Sequence, residues 1–479
     1  MDVTPDIAKM TLTAGWRRTW KGEGDDRTAK SRLYVRGFQD RRDRGWINTY
    51  AGTADPGLER INHIYALYRK WKAAKVDIAT AFLQAKSEAN LNMRLPYDLP
   101  PEAIEFGYVP GGVYKMLKAV YGRIDSPNIF ATQLNARLID ERWENVAEAI
   151  YVKSTKAKGL HQGVLRTHMD DLFCNGEDAV ALLSDIKKHF QTGPITEFKE
   201  GEFGVYNGIR IRWDSKKGVA EHDQKDYADG IDTKLTKAES RRRFGAKDLE
   251  LTKDDEINVD YKPEQQSWTG VLGWMARTQP HLSVIFSTIS QNNTRPSAQS
   301  VLSAKRACQY AKDNHVSLKF YGVENPALVI WLDGSFNLTR CDGRKGWEVQ
   351  VIDESEVDEK DWGGITESNV VAWRSTRLAR KVSSSSAAEL EALVDVVKRL
   401  PLYENHVECL WGKKPKVFLL TDSDPVISWL NIKWIKSDPK LQGMLDFVLD
   451  RLNEDNRVKV LYVSTKINRA DKHTKFVHV

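Results

Sequence analysis

Short apolar runs alternate with polar stretches along most of the chain, and their period changes between two and about 3.6, predicting a mixture of strands and helices. Residues 15 to 40 read as a hairpin. Gly15-Trp-Arg-Arg-Thr-Trp-Lys21 and Lys30-Ser-Arg-Leu-Tyr-Val-Arg-Gly-Phe38 place aromatic and basic residues in alternation around a Gly-Glu-Gly-Asp-Asp turn. Leu58, Ile61, Ile64, Tyr65, Leu67 and Tyr68 form a broad stripe that predicts a helix over 57–74. Within Lys75–Leu83 a short strand ends at Asp77, others follow at Leu91–Pro96 and Leu165–Cys174, and Tyr206–Asp214 alternates like an edge strand. Residues 236–265 are rich in charge and poor in apolar period, predicting a solvated connection. Helical patterns run from Ser267 to Asn292 and from Ser297 to Asp313.

From residue 326 the pattern changes. Ala327–Ser335 predicts a buried strand, with further strand candidates at Gly346–Ile352 and Asn369–Trp373. Ser383–Leu393 reads as a serine-capped helix, and Lys416–Ser423 and Val458–Val463 as two more strands.

Several acids interrupt or end these apolar runs. Asp170 and Asp171 are adjacent in the middle of a strand-like segment, where their repulsion is costly unless a cation or a tight turn relieves it. A plain surface turn is the alternative. Asp77, ending another short strand, supplies a third carboxylate, and three such acids are what two hard cations need when they bridge a triphosphate and an attacking hydroxyl. A second series runs Asp333 at a strand end, Glu389 in the second turn of a helix, Asp422 at a strand end and Asp471 in a loop. Each alone is explained as a cap or turn former; four in that order are hard to explain so.

The first set resembles the palm of reverse transcriptases. Asp77 matches the first catalytic aspartate, and His168-Met169-Asp170-Asp171 is similar to the aromatic-x-Asp-Asp box with His168 in the aromatic position. Lys30–Phe38 looks like the Lys-Ala-Arg-Leu-Val-x-x-Gly-Phe fingers motif of copia-type elements, with Ser31 for Ala. The resemblance implies that Lys30, Arg32 and Arg36 face the nucleotide triphosphate. It also implies that Phe82 lies beneath the incoming sugar, where its ring excludes a 2′-hydroxyl, core packing being the alternative. The helix at 57–74 is expected to pack under the palm. Tyr121-Gly122 and Ser126-Pro127 match a Leu-Tyr-Gly-Leu-Lys-Gln-Ser-Pro stretch, Ile124 and Asp125 standing where Lys-Gln is usual. Gly122 would let a backbone approach template or nucleotide, Ser126 and Pro127 start a helix, and Asp125 places an anion near the phosphate path. His222–Ile231 matches a Gln-x-x-Tyr-x-x-x-Ile helix; Gly270 and Trp274 stand at thumb positions, whereas Thr278-Gln-Pro-His281 departs from the usual Thr-Arg-Pro-Asp.

The second series resembles copia-type ribonuclease H, including its Ser-Ser-x-x-Ala-Glu and Ala-Asp-x-x-Thr-Lys segments. No histidine lies between Pro439 and Ala470, so the histidine some ribonucleases H use for product release has no match.

Together these resemblances imply a multidomain α/β and α+β chain: a right-hand polymerase with fingers, palm and thumb, followed by an RNase H-like α/β domain. Fingers and palm would occupy 1–215, thumb and connection 216–325, and the RNase H-like domain 326–479. The implied function is RNA- and DNA-directed DNA synthesis with degradation of RNA in RNA:DNA hybrids. Asp77, Asp170 and Asp171 would hold two Mg²⁺ at one site, and Asp333, Glu389, Asp422 and Asp471 two at the other, with Mn²⁺ as an alternative. Expected partners are an RNA template, a DNA primer, the hybrid and dNTPs, with no membrane. Two rivals differ in class: a decayed or domesticated element that binds nucleic acid without catalysis, and an unrelated multidomain metal-dependent nuclease.

Bulk properties agree with a nucleic-acid partner. The 479 residues are 41% hydrophobic and 29% charged, as in ordinary globular proteins with room for two to four domains. Residues 14–45 hold ten Lys or Arg against five acids, most of the chain's net charge of +6. A phosphate partner explains that concentration, and a solvated charged surface would too. Cys174, Cys308, Cys341 and Cys409 are too far apart to suggest a zinc knuckle or a disulfide framework, which fits a reducing compartment. No apolar run approaches the roughly 20 residues of a membrane span, and the N-terminus has no signal core. An intracellular location is expected, cytoplasmic, in virus-like particles, or nuclear. Neither a protease-like nor a zinc-binding integrase-like segment is recognised, so a processed product, fragment or truncated reading frame is expected.

Overall fold

The protein is described from a computed structural model covering residues 10–22, 27–155, 161–337 and 342–476. The hairpin turn at 23–26 and Cys341 lie outside these residues. Two compact units form a mixed α/β chain: Met1–Ala54 with Ala73–Glu197, and Asp55–Lys72 with Phe198–Val479. Residue 215, where a boundary was expected, lies in the turn joining two paired strands of the second unit.

The first unit contains two sheets. In one, β1 (Thr11–Lys21) pairs antiparallel with β2 (Thr28–Val35), and β4 (Asn92–Arg94) and β5 (Val113–Lys115) complete the order β2-β1-β4-β5. Arg17 faces Arg32 across this ribbon, and Thr19 faces Lys30. The other sheet has the order β10-β3-β9-β8-β7-β6, with β3 Lys72–Asp77, β6 Glu144–Ala147, β7 Ile150–Ser154, β8 His161–His168, β9 Asp171–Gly176 and β10 Thr196–Glu197. Helix Ser126–Asp140 covers it, burying Phe130, Leu134 and Leu138, a single stripe at four-residue spacing, against Val76, Leu165 and Leu172. Ser126 is not the cap of this helix; its hydroxyl donates instead to the Val120 carbonyl at 2.7 Å.

In the second unit, β11 (Phe203–Tyr206), β12 (Ile209–Asp214), β13 (Val219–Asp223) and β14 (Leu318–Tyr321) form an antiparallel sheet in that order. The stretch predicted as one edge strand is therefore two strands joined by a turn at Asn207 and Gly208, and β12 is paired on both sides. The helix predicted over 222–231 shortens to Lys225–Asp229, because His222 and Asp223 are still in β13.

Helix Pro56–Tyr68 also belongs to this second unit, contrary to the expectation that it packs under the palm. Ten of its thirteen residues are buried, so it is covered on more than one face. Arg60 donates to the Val371 carbonyl at 2.7 Å and stacks on Trp373, Tyr65 meets the ring of Trp411, and His406 bonds Asn62 at 2.7 Å. The apolar stripe specified that the helix is buried; these polar and aromatic partners, more than 300 positions away, specify where.

The 236–265 stretch is less solvated than its composition predicts. Phe244 is buried, and Asp248 pairs inside with Arg306 at 2.6 Å. The first predicted helix beyond it breaks into Lys262–Met275 and Ser283–Ile289, because Pro280 cannot continue it. The second is observed at Ala298–Asp313, capped by Ser297.

The C-terminal sheet has the order β17-β16-β15-β18-β19: β15 Pro326–Asn337, β16 Asp342–Asp353, β17 Val370–Arg377, β18 Lys416–Thr421 and β19 Val458–Tyr462. The first three are antiparallel, and β15, β18 and β19 run parallel. Parallel strands are covered on both faces, which explains why β15 is buried continuously from Pro326 to Gly334. Helix Ser385–Val397 packs on β15, its cap Ser384 accepting from Ala387 N at 3.2 Å. Among the described residues no helix is long and apolar enough to cross a membrane.

Candidate active sites

The first site forms where β3 ends beside the β8–β9 hairpin. His168 faces Asp171 across the ladder, leaving Met169 and Asp170 as a two-residue turn. Met169 has φ +56°, an αL position that a residue with a Cβ occupies at a cost of about 1–3 kcal/mol. Asp170 is thereby held at the tip, and its carbonyl accepts from Ile78 N at 2.8 Å, tying the turn to the end of β3. Asp77 and Asp170 line one cleft of about 650 Å³, together with Lys30, Arg32, Thr80, Leu83 and Tyr121. Burial first, then the neighbouring Asp170, pushes the Asp171 carboxyl up, while Lys75 and His168 oppose the shift. A cation would relieve that repulsion, and the acids fit one on those grounds. Asp77 and Asp170 share the cleft, but the three carboxylates are not gathered on one ion-sized point.

The other predicted residues separate. Arg32 lies 5.5 Å from the centroid of the Tyr121 ring at the cleft wall, and Lys30 lines the cleft with it. Arg36 does not join them. It lies beyond the end of β2, where the strand alternation no longer holds, and its guanidinium donates to Thr13 Oγ1 at 2.8 Å. Phe82 does not line the cleft; it packs between Phe130 and Tyr121, with ring centroids at 6.2 and 5.1 Å. Gly122, at φ +89°, is needed for an approach within the protein, since a Cβ there would meet the Val35 carbonyl oxygen at 2.0 Å. Asp125 is not a bare anion either. Burial would raise its pKa, but Arg123 at 2.9 Å and Arg42 at 2.8 Å hold it below the usual carboxylate range. The sequence reading missed Thr80, a β-branched residue at φ +48° on the cleft wall, for which the residue type carries no signal.

The second site is tighter. Asp333 on β15, Glu389 on helix Ser385–Val397 and Asp422 just after β18 each offer a ligand oxygen, all within 4.8 Å of one another; among the described residues no other trio of possible ligands is this close. Burial pushes Asp333 up to about 6, with Asp471 and Asp422 adding to the push and Lys475 opposing it. Burial likewise pushes the Glu389 carboxyl up, reinforced by Asp333 and Asp422. Glu389 Oε2 is buried with no hydrogen-bond partner. An orphaned acceptor among crowded carboxylates fits a divalent cation.

Asp471 opens the last helical turn, Asp471–Thr474, near the trio but outside it. The same loop supplies groups that the sequence reading did not assign. Asn468 Nδ2 donates to the Leu332 carbonyl at 2.8 Å and to Asp422 Oδ1 at 3.1 Å. The Thr474 hydroxyl donates to Asp333 Oδ2, and Lys475 Nζ reaches Asp471 Oδ1 at 3.0 Å. Below them His473 is fully buried between Ser283 at 2.6 Å and Glu348 at 3.1 Å. Glu348, the one charge in the apolar Gly346–Ile352 stretch, was the available signal for that network.

Residues 6–242 match the family model described as reverse transcriptase (RNA-dependent DNA polymerase). Its relatives are of the copia-type kind: the chain is 20% identical over 483 residues to the retrovirus-related Pol polyprotein from transposon TNT 1-94 of Nicotiana tabacum, covering 98% of this chain and 35% of that one. It is 22% identical over 318 residues to the corresponding polyprotein from transposon RE2 of Arabidopsis thaliana, covering 64% of this chain and 21% of that one. The chain thus spans about a third or less of the length of these relatives. Among solved structures, LC11 ribonuclease H1 from a compost metagenome aligns at 18% identity and a TM-score of 0.24, over 31% of this chain and 92% of that one. Ribonuclease H1 from Halobacterium salinarum aligns at 17% identity and a TM-score of 0.24, over 31% and 94%.

Proposed function

We propose that this chain extends a DNA primer on an RNA or DNA template and cuts the RNA strand of RNA:DNA hybrids at a second site. The first unit serves as fingers and palm in this reading. Asp77, Asp170 and Asp171 hold divalent cations, Mg²⁺ by preference, while Lys30 and Arg32 attract the triphosphate and Tyr121 shapes the cleft floor. Asp333, Glu389, Asp422 and Asp471 hold cations at the second site. Bound there, divalent cations neutralise the charge that builds on the phosphate and lower the pKa of a water nucleophile. The residues themselves orient the reacting groups, and Asn468 and Thr474 keep Asp422 and Asp333 aimed.

The observation that carries the reading is the convergence of Asp333, Glu389 and Asp422 within 4.8 Å, with one buried oxygen unpartnered, in a chain whose N-terminal half matches reverse transcriptases. A nucleic-acid-binding element without polymerase chemistry is the second reading, because the first acid set is looser. One pair of variants tests both. Asp170→Asn should abolish primer extension and leave template binding largely intact, since basic side chains supply most affinity. Glu389→Gln should stop hybrid degradation while extension continues on a short template. Absence of extension by the unaltered chain with Mg²⁺ would select the second reading, and loss of both activities in either variant would refute two separate sites.

A further inference from the structure

The four acids of the second site are not equally open to a cation. Asp333, Glu389 and Asp422 converge on one point, where Glu389 Oε2 has no hydrogen-bond partner. Beside Asp333 a positive charge is already present: Lys475 Nζ lies 3.6 Å from Asp333 Oδ2 and 3.0 Å from Asp471 Oδ1. Asp422 adds to the negative field around the ammonium and is itself held by Asn468. The ammonium is half-exposed, so leaving this position does not require the fold to open. It also borders a groove lined by Ser335, Arg344, Arg377 and Phe476, which gives the side chain somewhere to go.

An ammonium between two carboxylates does the electrostatic work of a cation bound there. We propose that Lys475 is a built-in occupant of the position between Asp333 and Asp471, and that a second divalent ion loads only by displacing it. The site then fills in two unequal steps: a first ion on the converging Asp333, Glu389 and Asp422 oxygens, and a weaker second one against the lysine. This rests on the reading of the four acids as a cation site. Its consequence is that the chain without ions stays folded around four clustered carboxylates, and that full loading is favoured when an arriving phosphate gives the displaced ammonium a new partner.

The test is calorimetric titration of the full chain with Mn²⁺, in an Asp77→Asn/Asp170→Asn background so that first-site binding does not contribute. Two events of different affinity are expected. Lys475→Met, which keeps the length and removes the charge, should tighten the weaker event roughly tenfold and change the tighter one less, the closer charge having the larger effect. Lys475→Arg, which keeps the charge, should leave the two events unequal. Without metal the Lys475→Met chain should melt lower than its parent, and saturating Mn²⁺ should recover the difference. Identical isotherms for Lys475→Met and its parent would overturn the proposal, as would a melting deficit that Mn²⁺ does not recover, which would make the lysine a structural tie. If neither chain binds Mn²⁺, and Glu389→Gln changes nothing, the cation-site reading itself fails and the proposal with it.

Discussion

Gly334 lies directly beneath Glu389. A Cβ placed on it would come within 2.3 Å of the Glu389 backbone nitrogen and 2.4 Å of the Ala388 carbonyl carbon. The strand that carries Asp333 and the helix that carries Glu389 can approach closely only because Gly334, the residue after Asp333, has no side chain. The Gly334 N–H also contributes a hydrogen bond to the Glu389 carboxyl.

Gly334→Ala should therefore push the helix off the strand, because the obstructing atoms are backbone and cannot rotate away. A loss of about 1–3 kcal/mol is expected, the usual cost of overpacking. Hybrid degradation should fall by more than stability alone explains, since Glu389 retreats from Asp333, while primer extension persists. Denaturant melts read with both assays check this; an unchanged midpoint would mean that the helix shifts freely.

Phe82 had two readings, beneath the nucleotide sugar or in the core, and its ring packs against Tyr121 and Phe130. Phe82→Val should cost about 1–2 kcal/mol as a partly buried large-to-small change. Relaxed exclusion of ribonucleotides would then arise indirectly, through a Tyr121 that has lost its backing, so Tyr121→Ala should relax it at least as much. Incorporation of ribonucleotides against deoxyribonucleotides by both variants checks the order; a larger effect at Phe82 would restore it as the direct gate.

Glu348 gives the second unit a defined acid limit. Burial would raise its carboxyl, but Lys472 at 2.7 Å and His473 at 3.1 Å more than offset this and hold it at about 2, below the ordinary 4.5. A depressed carboxyl stabilises the fold fully above its unfolded pKa, and the contribution is lost as pH falls from about 4.5 through about 2. Burial also lowers the His473 pKa, so His473 acts in the same direction below its ordinary 6.5. Melting of the chain against pH should therefore decline on the acid side, and Glu348→Gln should flatten the portion below about 4.5. An acid limb of unchanged slope would assign the stability to other groups.

By itself the sequence determined the elements and the acids they carry. A strand ending in Asp333, a serine-capped helix with Glu389 in its second turn and a strand leading to Asp422 are all local patterns, set by apolar period, cap chemistry and side-chain type. Asp77 and the Asp170-Asp171 pair were legible for the same reason. What tertiary structure decided is which faces meet. Helix Pro56–Tyr68 shows a buried stripe in any reading, but its assignment to the second unit depends on Trp411, Trp373 and His406, which no local period connects to it. Phe82, Gly122 and Asp125 are ordinary candidates for a nucleotide site until Tyr121, the Val35 carbonyl and the Arg42–Arg123 pair are found against them. Lys475 is one basic residue among 72 Lys and Arg until the chain folds it back onto Asp333. Contacts between residues distant in sequence depend on packing and charge in three dimensions, and neighbouring residues record almost nothing of them.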